Sequence, residues 1–295
     1  MVRPLSFTIS KDRTITTELP AFIAGIINAT PDSFCPVGRC TPDAKDGQGT
    51  FSVSETALRL VQEGASILDL GAESTRPGSV PVSEQEELSR LIPALKAIRK
   101  VTDCPVSIDT TKARVMQAAL DEGADMLNDV SALSHDKMMV NVCRDAEIPV
   151  ILMHNHDIMN IRIEDTVQSV SDFLAERVMF SMEHGIGPDR IILDAGIGFG
   201  KTYEQNLCLI KNSALIRQHV MEKTGFENDD VLPVMMALSR KRCIGAMTGR
   251  DVEQRLSGTL ASNLLAVQGG ASFLRVHDVA ETRDMLSVLY AMDKE

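Results

Sequence analysis

Short apolar runs alternate with longer segments of helical periodicity along almost the whole chain. The runs are rich in aliphatic and β-branched side chains, which is typical of buried strands. Eight such runs are present, at residues 22–27, 66–70, 106–109, 126–129, 150–153, 191–194, 234–238 and 272–276. The helical segments that follow them are predicted to begin near Ser52, Glu84, Lys112, Lys137, Glu164, Glu204, Val252 and Ala280.

Eight strand–helix units in succession predict an α/β protein with a closed (β/α)8 TIM barrel. No G-x-G-x-x-G motif follows the first strand, which disfavours an open dinucleotide-binding sheet. No shift in composition marks a second domain, so we expect residues 1–295 to form one barrel domain. Residues 1–20 are expected to form a β-hairpin across the barrel bottom. Two long polar stretches, 28–51 and 72–81, are expected to be mobile active-site loops.

Charge and composition disfavour several classes of partner. The chain has 295 residues, with 30 Lys and Arg against 41 Asp and Glu, and a formal net charge of −11. A net negative chain binds nucleic acid poorly, because such binding requires neutralisation of phosphates, but it is compatible with a local basic pocket for a small anion. No apolar stretch reaches the roughly 18 residues that span a bilayer, and no secretory signal is evident. The six scattered cysteines are typical of a reducing compartment, so we expect a cytoplasmic protein without nucleic-acid or membrane partners.

Polar residues stand where the predicted strands end. In a TIM barrel these C-terminal ends meet at one mouth, which carries the active site. The candidates are Asn28, Asp69, Asp109, Asn128, His154, Asp194, Ser239, Lys241, Arg275 and His277. Any one of them is ordinary as a cap or turn residue, and Asp129 and Asp278 are compatible with that role alone. His154 and His156 have no evident third ligand for zinc, which disfavours a metal site there.

The distribution of these candidates predicts a substrate with two chemically different ends. A heterocycle with several hydrogen-bond donors and acceptors would be matched by Asp109, Asn128, Asp194 and Lys241. An anionic end would be matched by Arg275, His277 and the loop of Asn28, because barrels commonly bind phosphate near their last strands. An acidic protein with such a cationic corner fits a phosphorylated small molecule better than a polymer.

Eight motifs in sequence order resemble those of the dihydropteroate synthases, a pterin-binding family. They are Asn28-Ala-Thr-Pro-Asp-Ser-Phe34, Asp69-Leu-Gly-Ala-Glu-Ser-Thr-Arg-Pro-Gly78, Ser107-Ile-Asp-Thr110, Asn128-Asp-Val130, Leu152-Met-His154, Asp194-Ala-Gly-Ile-Gly-Phe-Gly-Lys201, Ser239-Arg-Lys241 and Arg275-Val-His-Asp278. Each motif alone has limited specificity, whereas all eight in order are specific. The resemblance extends from about Phe22 to Leu289.

The resemblance implies a reaction and a set of residue roles. These enzymes join 6-hydroxymethyl-7,8-dihydropterin diphosphate to p-aminobenzoate, with release of diphosphate, in folate biosynthesis. By resemblance, the catalytic residues are Asp109, Asn128, Asp194 and Lys241, which also bind the pterin together with Met153. The diphosphate would be held by Asn28, Thr75, Arg275 and His277, with Mg²⁺ beside Asn28. The p-aminobenzoate pocket would be formed by Thr75, Arg76, Pro77, Phe199 and Ser239. The family also implies a homodimer and sensitivity to sulfonamides.

Three segments depart from the family pattern. Ala195 replaces a usual proline, with a small expected effect on loop stiffness. The segment Cys35-Pro-Val-Gly-Arg39 replaces a shorter Ser-Asp-Gly-Gly, so the family's closure of the first loop and its metal contacts do not carry over directly to this segment. Arg242-Cys243 follows Ser239-Arg-Lys241 where Ser-Phe is common, a change expected to alter either the p-aminobenzoate pocket or the sensitivity to sulfonamides.

Two other functions remain open from the sequence. A methyltransferase that moves a methyl group from a tetrahydrofolate to a corrinoid protein would share the pterin-binding Asp and Asn. It would not need the cationic residues Lys241, Arg275 and His277 for a diphosphate. A catalytically inactive barrel that binds a pterin or a partner would lack turnover, and the intact polar set argues against it.

Overall fold

A computed structural model describes residues 4–29, 52–74, 79–227, 231–292 and 294. Eight parallel strands close into a barrel in chain order, and the last of them pairs with the first. The barrel strands are β3 (Phe22–Asn28), β4 (Ile67–Gly71), β5 (Val106–Asp109), β6 (Met126–Asp129), β7 (Val150–Met153), β8 (Ile191–Asp194), β9 (Val234–Met236) and β10 (Phe273–Val276). Every strand coincides with one of the predicted apolar runs, and the (β/α)8 prediction is confirmed.

Helices connect the strands on the outside of the barrel. Their bounds are α1 (Val53–Glu63), α2 (Glu84–Arg99), α3 (Ala113–Asp121), α4 (Met139–Asp145), α5 (Thr166–Glu183), α6 (Tyr203–Lys211), α7 (Ser213–Thr224), α8 (Arg242–Thr248), α9 (Leu256–Gln268) and α10 (Val279–Met292). The segment predicted from Glu204 is two helices, broken at Asn212. Helix α8 was not predicted, because two turns carry too few positions for a helical stripe.

Local sequence explains where the first barrel helix begins and ends. Ser52 Oγ accepts a hydrogen bond from the Glu55 backbone N–H at 3.2 Å, and Glu55 Oε2 accepts one from the Ser52 N–H at 2.8 Å. This capping box satisfies two of the backbone donors that open a helix. Gly64 ends the helix with φ of +110°, a conformation that favours glycine.

The barrel interior changes from apolar at its bottom to polar at its mouth. The lower layers are formed by Phe22, Ala24, Ile67, Met126, Ile151, Ile192, Met235 and Phe273. Side chains on a strand return to the same face every second residue. The interior positions two residues further along five of these strands are therefore Asp69, Asn128, Met153, Asp194 and Arg275. This pattern places the polar candidates together at the C-terminal ends of the strands.

A β-hairpin closes the bottom of the barrel, as predicted. Its strands β1 (Leu5–Ser10) and β2 (Arg13–Thr17) are antiparallel. Phe7 packs edge-on against Phe273, with ring centroids 5.3 Å apart, and joins the lower interior layer. Arg13 Nη1 donates to Asp125 Oδ1 at 2.8 Å, which ties the hairpin to the segment before β6.

Parts of the two predicted loops lie outside the described residues, namely 30–51 and 75–78. The expectation that 28–51 and 72–81 are mobile active-site loops therefore stays a prediction, as does the assignment of one domain to residues 1–295. Of the helices that the structure describes, none has the length and apolar character to span a bilayer.

Candidate active site

At the centre of the barrel mouth, one guanidinium forms ion pairs with two carboxylates. Arg275 on β10 donates from Nε to Asp69 Oδ2 at 2.6 Å and from Nη2 to Asp109 Oδ2 at 3.0 Å. Both carboxylates are almost inaccessible to solvent, with relative exposures of 1% for Asp69 and 5% for Asp109. A buried charge is costly unless it is paired, so these contacts explain how acidic side chains are tolerated there.

Asn128 on β6 completes the cluster. Its Nδ2 donates to Asp69 Oδ1 at 3.2 Å and lies 3.4 Å from Oδ2. An ionised carboxylate only accepts hydrogen bonds, so the NH₂ side of the amide has to face Asp69. The amide oxygen of Asn128 is thereby directed away from Asp69. Sequence reasoning assigns no role to Asp69, although it lies two residues after Ile67 on the inward face of β4.

The pKa of Asp109 is raised to about 7, in spite of its contact with Arg275. Burial is the main cause, Arg275 opposes it, and the negative charges of Asp69, Glu87 and Asp129 add to it. The shorter contact of Arg275 is with Asp69, so a single positive charge is shared between two carboxylates. Burial lowers the pKa of Arg275, whereas the two carboxylates raise it. The effect of the carboxylates is the larger, so the pKa of Arg275 lies above its usual value.

One oxygen of Asp109 is poised to accept a further hydrogen bond. Asp109 Oδ1 is buried and has no hydrogen-bond partner within the described ranges. An unsatisfied buried acceptor costs roughly 1–3 kcal/mol. A ligand that brings N–H donors into the mouth would remove that cost.

Two oppositely charged side chains, Asp194 at the end of β8 and Lys241 beyond β9, lie close enough to affect each other's pKa. Asp194 Oδ1 accepts from the Gly196 N–H at 2.7 Å, and burial raises the pKa of Asp194 against the opposing charge of Lys241. Burial lowers the pKa of Lys241 to about 8, although Asp194 favours its charged form. Lys241 Nζ donates to the carbonyl of Ile197 and lies 5.1 Å from the ring centroid of Phe199.

Hydrogen bonds from the Lys201 ammonium hold the loop that carries Phe199 in place. Its Nζ is 2.8 Å from the Phe199 carbonyl and 2.9 Å from the Gly196 carbonyl. It also lies 2.9 Å from His154 Nδ1 and 3.3 Å from the His154 carbonyl, and Lys201 is only 8% exposed. Burial and the neighbouring Lys201 lower the pKa of His154 to about 3, so the imidazole is neutral and Nδ1 accepts. Sequence reasoning missed this role of Lys201.

Close packing explains the glycine at position 196. Its φ is +65°, and a Cβ there would lie 1.9 Å from the carbonyl oxygen of His154. Only glycine lets the loop pass so close to the end of β7.

A third contact joins the ends of β9 and β10. Ser239 Oγ accepts from the backbone N–H of His277 at 3.2 Å and lies 3.0 Å from His277 Nδ1. The neighbouring Arg240 forms a buried ion pair with Asp278. Asp278 is therefore more than a turn residue, whereas Asp129 accepts from Ser131 and Leu133 as a turn residue would.

The structure brings most of the predicted site residues to one end of the barrel. These are Asn28, Asp109, Asn128, Met153, Asp194, Phe199, Ser239, Lys241, Arg275 and His277, each at or just beyond the end of a barrel strand. The other three, Thr75, Arg76 and Pro77, lie outside the described residues, as does the unusual segment 35–39. Of the other departures, Ala195 and Cys243 are buried in the core, and Arg242 is exposed at the start of α8.

The mouth of the barrel offers few ligands for a divalent ion. Within the residues that the structure describes, no cluster of three or more His, Cys, Asp and Glu side chains could hold a metal. His154 is also disfavoured as a zinc ligand through Nδ1, because the Lys201 ammonium occupies that nitrogen. Asn28, the last residue of β3, offers one amide oxygen. That set fits Mg²⁺, which commonly takes one or two protein oxygens and completes its shell with phosphate and water.

Comparisons with known proteins agree with this geometry. The sequence family described as pterin binding enzyme matches residues 24–277. Dihydropteroate synthase of Clostridium beijerinckii is 40% identical over 88% of this chain and 90% of its own, and that of Haemophilus influenzae is 40% identical over 91% and 93%.

Solved structures give the same result. Xanthomonas albilineans dihydropteroate synthase with 4-aminobenzoic acid superposes with a TM-score of 0.81 and 39% identity, over 100% of both chains. The same enzyme in complex with 7,8-dihydropteroate gives a TM-score of 0.79 and 37% identity, over 99% of this chain and 100% of the other. The chain therefore belongs to the dihydropteroate synthases, within the pterin-binding enzymes.

Proposed function

We propose that this protein condenses 6-hydroxymethyl-7,8-dihydropterin diphosphate with p-aminobenzoate to give 7,8-dihydropteroate and diphosphate. The observation that carries the proposal is the arrangement of Asp69, Asp109, Asn128 and Arg275 at the mouth of the barrel, in a chain 40% identical to dihydropteroate synthases. Membership of that family and the ligands of the Xanthomonas albilineans structures support the choice of substrates.

The pterin ring would bind between the two charged groups of the mouth. Its amine and ring N–H groups are donors, and the unpaired Oδ1 of Asp109 is a buried acceptor in need of one. Asp194 supplies a second carboxylate, and Lys241 supplies a donor for the ring oxygen or nitrogens. Met153 lies beside Asp194 in the strand register and offers an apolar surface to the ring face.

The diphosphate would lie towards the ends of β3 and β10. Arg275 and His277 provide the cationic and hydrogen-bonding groups, and Asn28 would hold Mg²⁺ beside the phosphates. When bound, the ion would neutralise charge on the leaving diphosphate. Thr75 is proposed to contact the same group.

The chemistry exchanges one bond at the pterin methylene carbon for another. The C–O bond to diphosphate breaks, and its electron pair leaves with the diphosphate. The positive charge that develops on the methylene is conjugated into the pterin ring, where the Asp109 carboxylate stabilises it. The aniline nitrogen of p-aminobenzoate forms the new C–N bond and then loses one proton to solvent. Because that nitrogen already carries a lone pair, the protein mainly orients and desolvates the reactants.

The p-aminobenzoate would be placed by the loop after β8 and the end of β9. Phe199 offers a ring beside Lys241, and Ser239 lies at the neighbouring strand end. Thr75, Arg76 and Pro77 are proposed to complete this pocket by family resemblance.

We further infer that the enzyme is a homodimer that works in the cytoplasm, as one domain. The homodimer is proposed from the resemblance to the family alone. The cysteines that the structure describes, Cys104, Cys143, Cys208 and Cys243, are free thiols, which fits a reducing compartment.

The test of the proposal is a coupled assay of diphosphate release from the pterin diphosphate with Mg²⁺, with and without p-aminobenzoate. We expect release that requires p-aminobenzoate and falls at least about 100-fold in Asp109→Ala and Lys241→Ala, since each removes a charged contact. Lys137→Ala, at an exposed position before α4, is the matched control and should retain full rate. A folded protein that binds the pterin diphosphate and releases no diphosphate would favour the methyltransferase or the inactive barrel.

A further inference from the structure

Asp69 is an almost completely buried carboxylate at the mouth and has no role of its own in the reaction as proposed. It lies in the middle of β4, with a relative exposure of 1%, and is reached by Arg275 from β10 and by Asn128 from β6. These strands approach the barrel axis from different sides. Asp69 therefore links two residues that are proposed to bind opposite ends of one substrate.

The contacts of Asp69 determine how both partners are oriented. Its Oδ2 receives Nε of Arg275 at 2.6 Å, which fixes the plane of the guanidinium as well as its position. Its Oδ1 receives Nδ2 of Asn128 at 3.2 Å, which fixes the planar amide and so the direction of the amide oxygen. Without the carboxylate, each partner would lose an acceptor and gain rotational freedom.

Fold stability alone does not account for a carboxylate at this position. A buried ion pair is often matched or exceeded in stability by well-packed apolar residues of similar volume. The residue two positions earlier on the same inward face is Ile67, which packs in the apolar lower layer. An apolar residue at position 69 would continue that layer. The carboxylate is therefore explained by its hydrogen bonds to Arg275 and Asn128.

We propose that Asp69 is a positioning residue for the condensation, whose buried carboxylate holds the Arg275 guanidinium and the Asn128 amide in the orientations in which they receive the pterin diphosphate. The inference rests on the proposed function for the identity of the substrate. It names a residue to which neither the motifs nor the comparisons assign a role. Pre-orientation lowers the entropy that binding would otherwise cost.

The negative charge of Asp69 has a second effect, on Asp109. The charged groups that act on Asp109 from the surrounding elements are Arg275 on β10, Asp69 on β4, Glu87 on α2, Asp129 on β6 and Lys241 beyond β9. Removal of the charge of Asp69 lowers the pKa of Asp109 and leaves Arg275 to pair with Asp109 alone. The acid limb of the pH profile of kcat/KM, which reports the free enzyme, would then move to lower pH.

The experiment compares Asp69→Asn with Glu87→Gln. Both replace a buried carboxylate near Asp109 by an isosteric amide, and Glu87 contacts Lys112 at 2.6 Å rather than the site. For Asp69→Asn we expect KM for the pterin diphosphate to rise about tenfold and kcat to fall about 10- to 100-fold, because a charge-assisted hydrogen bond is lost and a donor faces a donor. KM for p-aminobenzoate should change less than about threefold, and the acid limb should move down by about one pH unit.

The two variants separate positioning from charge. Glu87→Gln should move the acid limb in the same direction by less and leave both KM values unchanged. Equal KM values in Asp69→Asn and the native enzyme would overturn the proposal. Equal losses for both substrates, with an unmoved acid limb, would also overturn it, because they indicate a general loss of structure.

A measurement on the native protein keeps the inference independent of turnover and of how the variant folds. The Arg275 Nε–H, observed by ¹⁵N NMR without substrate and assigned by comparison with Arg275→Lys, should exchange with solvent at least about 100-fold more slowly than a free arginine, because it is buried and bonded. Rapid exchange would show that Arg275 is not held before substrate arrives and would refute the inference. Slow exchange in a protein without turnover would leave the positioning intact and overturn the proposed reaction instead.

Discussion

Replacement of Lys201 by methionine removes the ammonium that fastens the loop between β8 and α6. Methionine has nearly the same length and keeps the apolar stem, so the change isolates the charged head. The ammonium has three N–H donors and faces the carbonyls of Gly196, Phe199 and His154, together with His154 Nδ1, at 2.8–3.3 Å. All of its hydrogen bonds therefore go to two segments, the end of β7 and its own loop.

The size of the effect follows from those contacts. Each buried acceptor that loses its donor costs about 1–3 kcal/mol. Against this, methionine avoids the cost of burying an ammonium, the same cost that lowers the pKa of Lys201 to about 7. We expect a net loss of about 2–4 kcal/mol in the free energy of unfolding, which lowers Tm by roughly 4–8 °C in a protein of this length.

The catalytic effect should be selective. The loop carries Phe199, proposed to contact p-aminobenzoate, and Ile197, whose carbonyl receives Lys241. We expect KM for p-aminobenzoate to rise more than about tenfold, because a loop that is no longer held loses binding energy in ordering itself.

The assay is steady-state kinetics for both substrates, together with thermal unfolding followed by circular dichroism. Lys137→Met is the matched control, since Lys137 is exposed, and should behave as the native protein. Native Tm and native KM for p-aminobenzoate in Lys201→Met would refute the reasoning.

Three further predictions concern charge and packing. Asp109→Asn should abolish turnover, yet raise Tm relative to the native protein, by more at pH 8 than at pH 4. The pKa of Asp109 in the folded state lies above its ordinary value of 3.8, so the native state holds a proton that the unfolded state releases. The stability of the native protein therefore falls as the pH rises towards about 7. The gain is at most about 4 kcal/mol, and no gain at pH 8 would contradict the burial argument. Arg13→Ala should lower the free energy of unfolding in urea by about 1–2 kcal/mol through loss of the Asp125 contact, with KM values unchanged; altered KM values would contradict a purely structural hairpin. Gly196→Ala should lower Tm sharply and cost at least about 3 kcal/mol, because its Cβ meets the His154 carbonyl; a native Tm would show that the loop can move aside.

The barrel could be predicted from the sequence because its strands are buried on both faces. The interior side chains of a strand such as Val150–Met153 pack in the barrel and the alternate ones pack under the helices, so the run is apolar throughout. Boundaries within the helical segments were less predictable. Helix α8 is short, and no strong local signal marks the break at Asn212, beyond which α7 packs against α5.

The candidate site residues could also be predicted from the sequence, because the ends of the strands converge in a barrel. The interactions among these residues could not be predicted. The sequence places Arg275 near an anion, and only the structure shows its Nε and Nη2 bonded to two carboxylates. Asp69 stands two residues before the last residue of its strand, and Lys201 follows a glycine-rich segment as an ordinary lysine would. The contact of Arg275 with Asp69 joins residues 206 positions apart along the chain, and that of Lys201 with His154 joins residues 47 apart, so no local pattern reports them.

The central claim is that the barrel mouth binds a pterin diphosphate and transfers its pterin methylene group to p-aminobenzoate. The most direct test is mass spectrometry of the products after the protein is incubated with both substrates and Mg²⁺. The account predicts one 7,8-dihydropteroate and one diphosphate for each pterin diphosphate consumed, and neither product without p-aminobenzoate. A folded protein that leaves both substrates unchanged, or that instead transfers a methyl group from a methyltetrahydrofolate to a corrinoid protein, would contradict it.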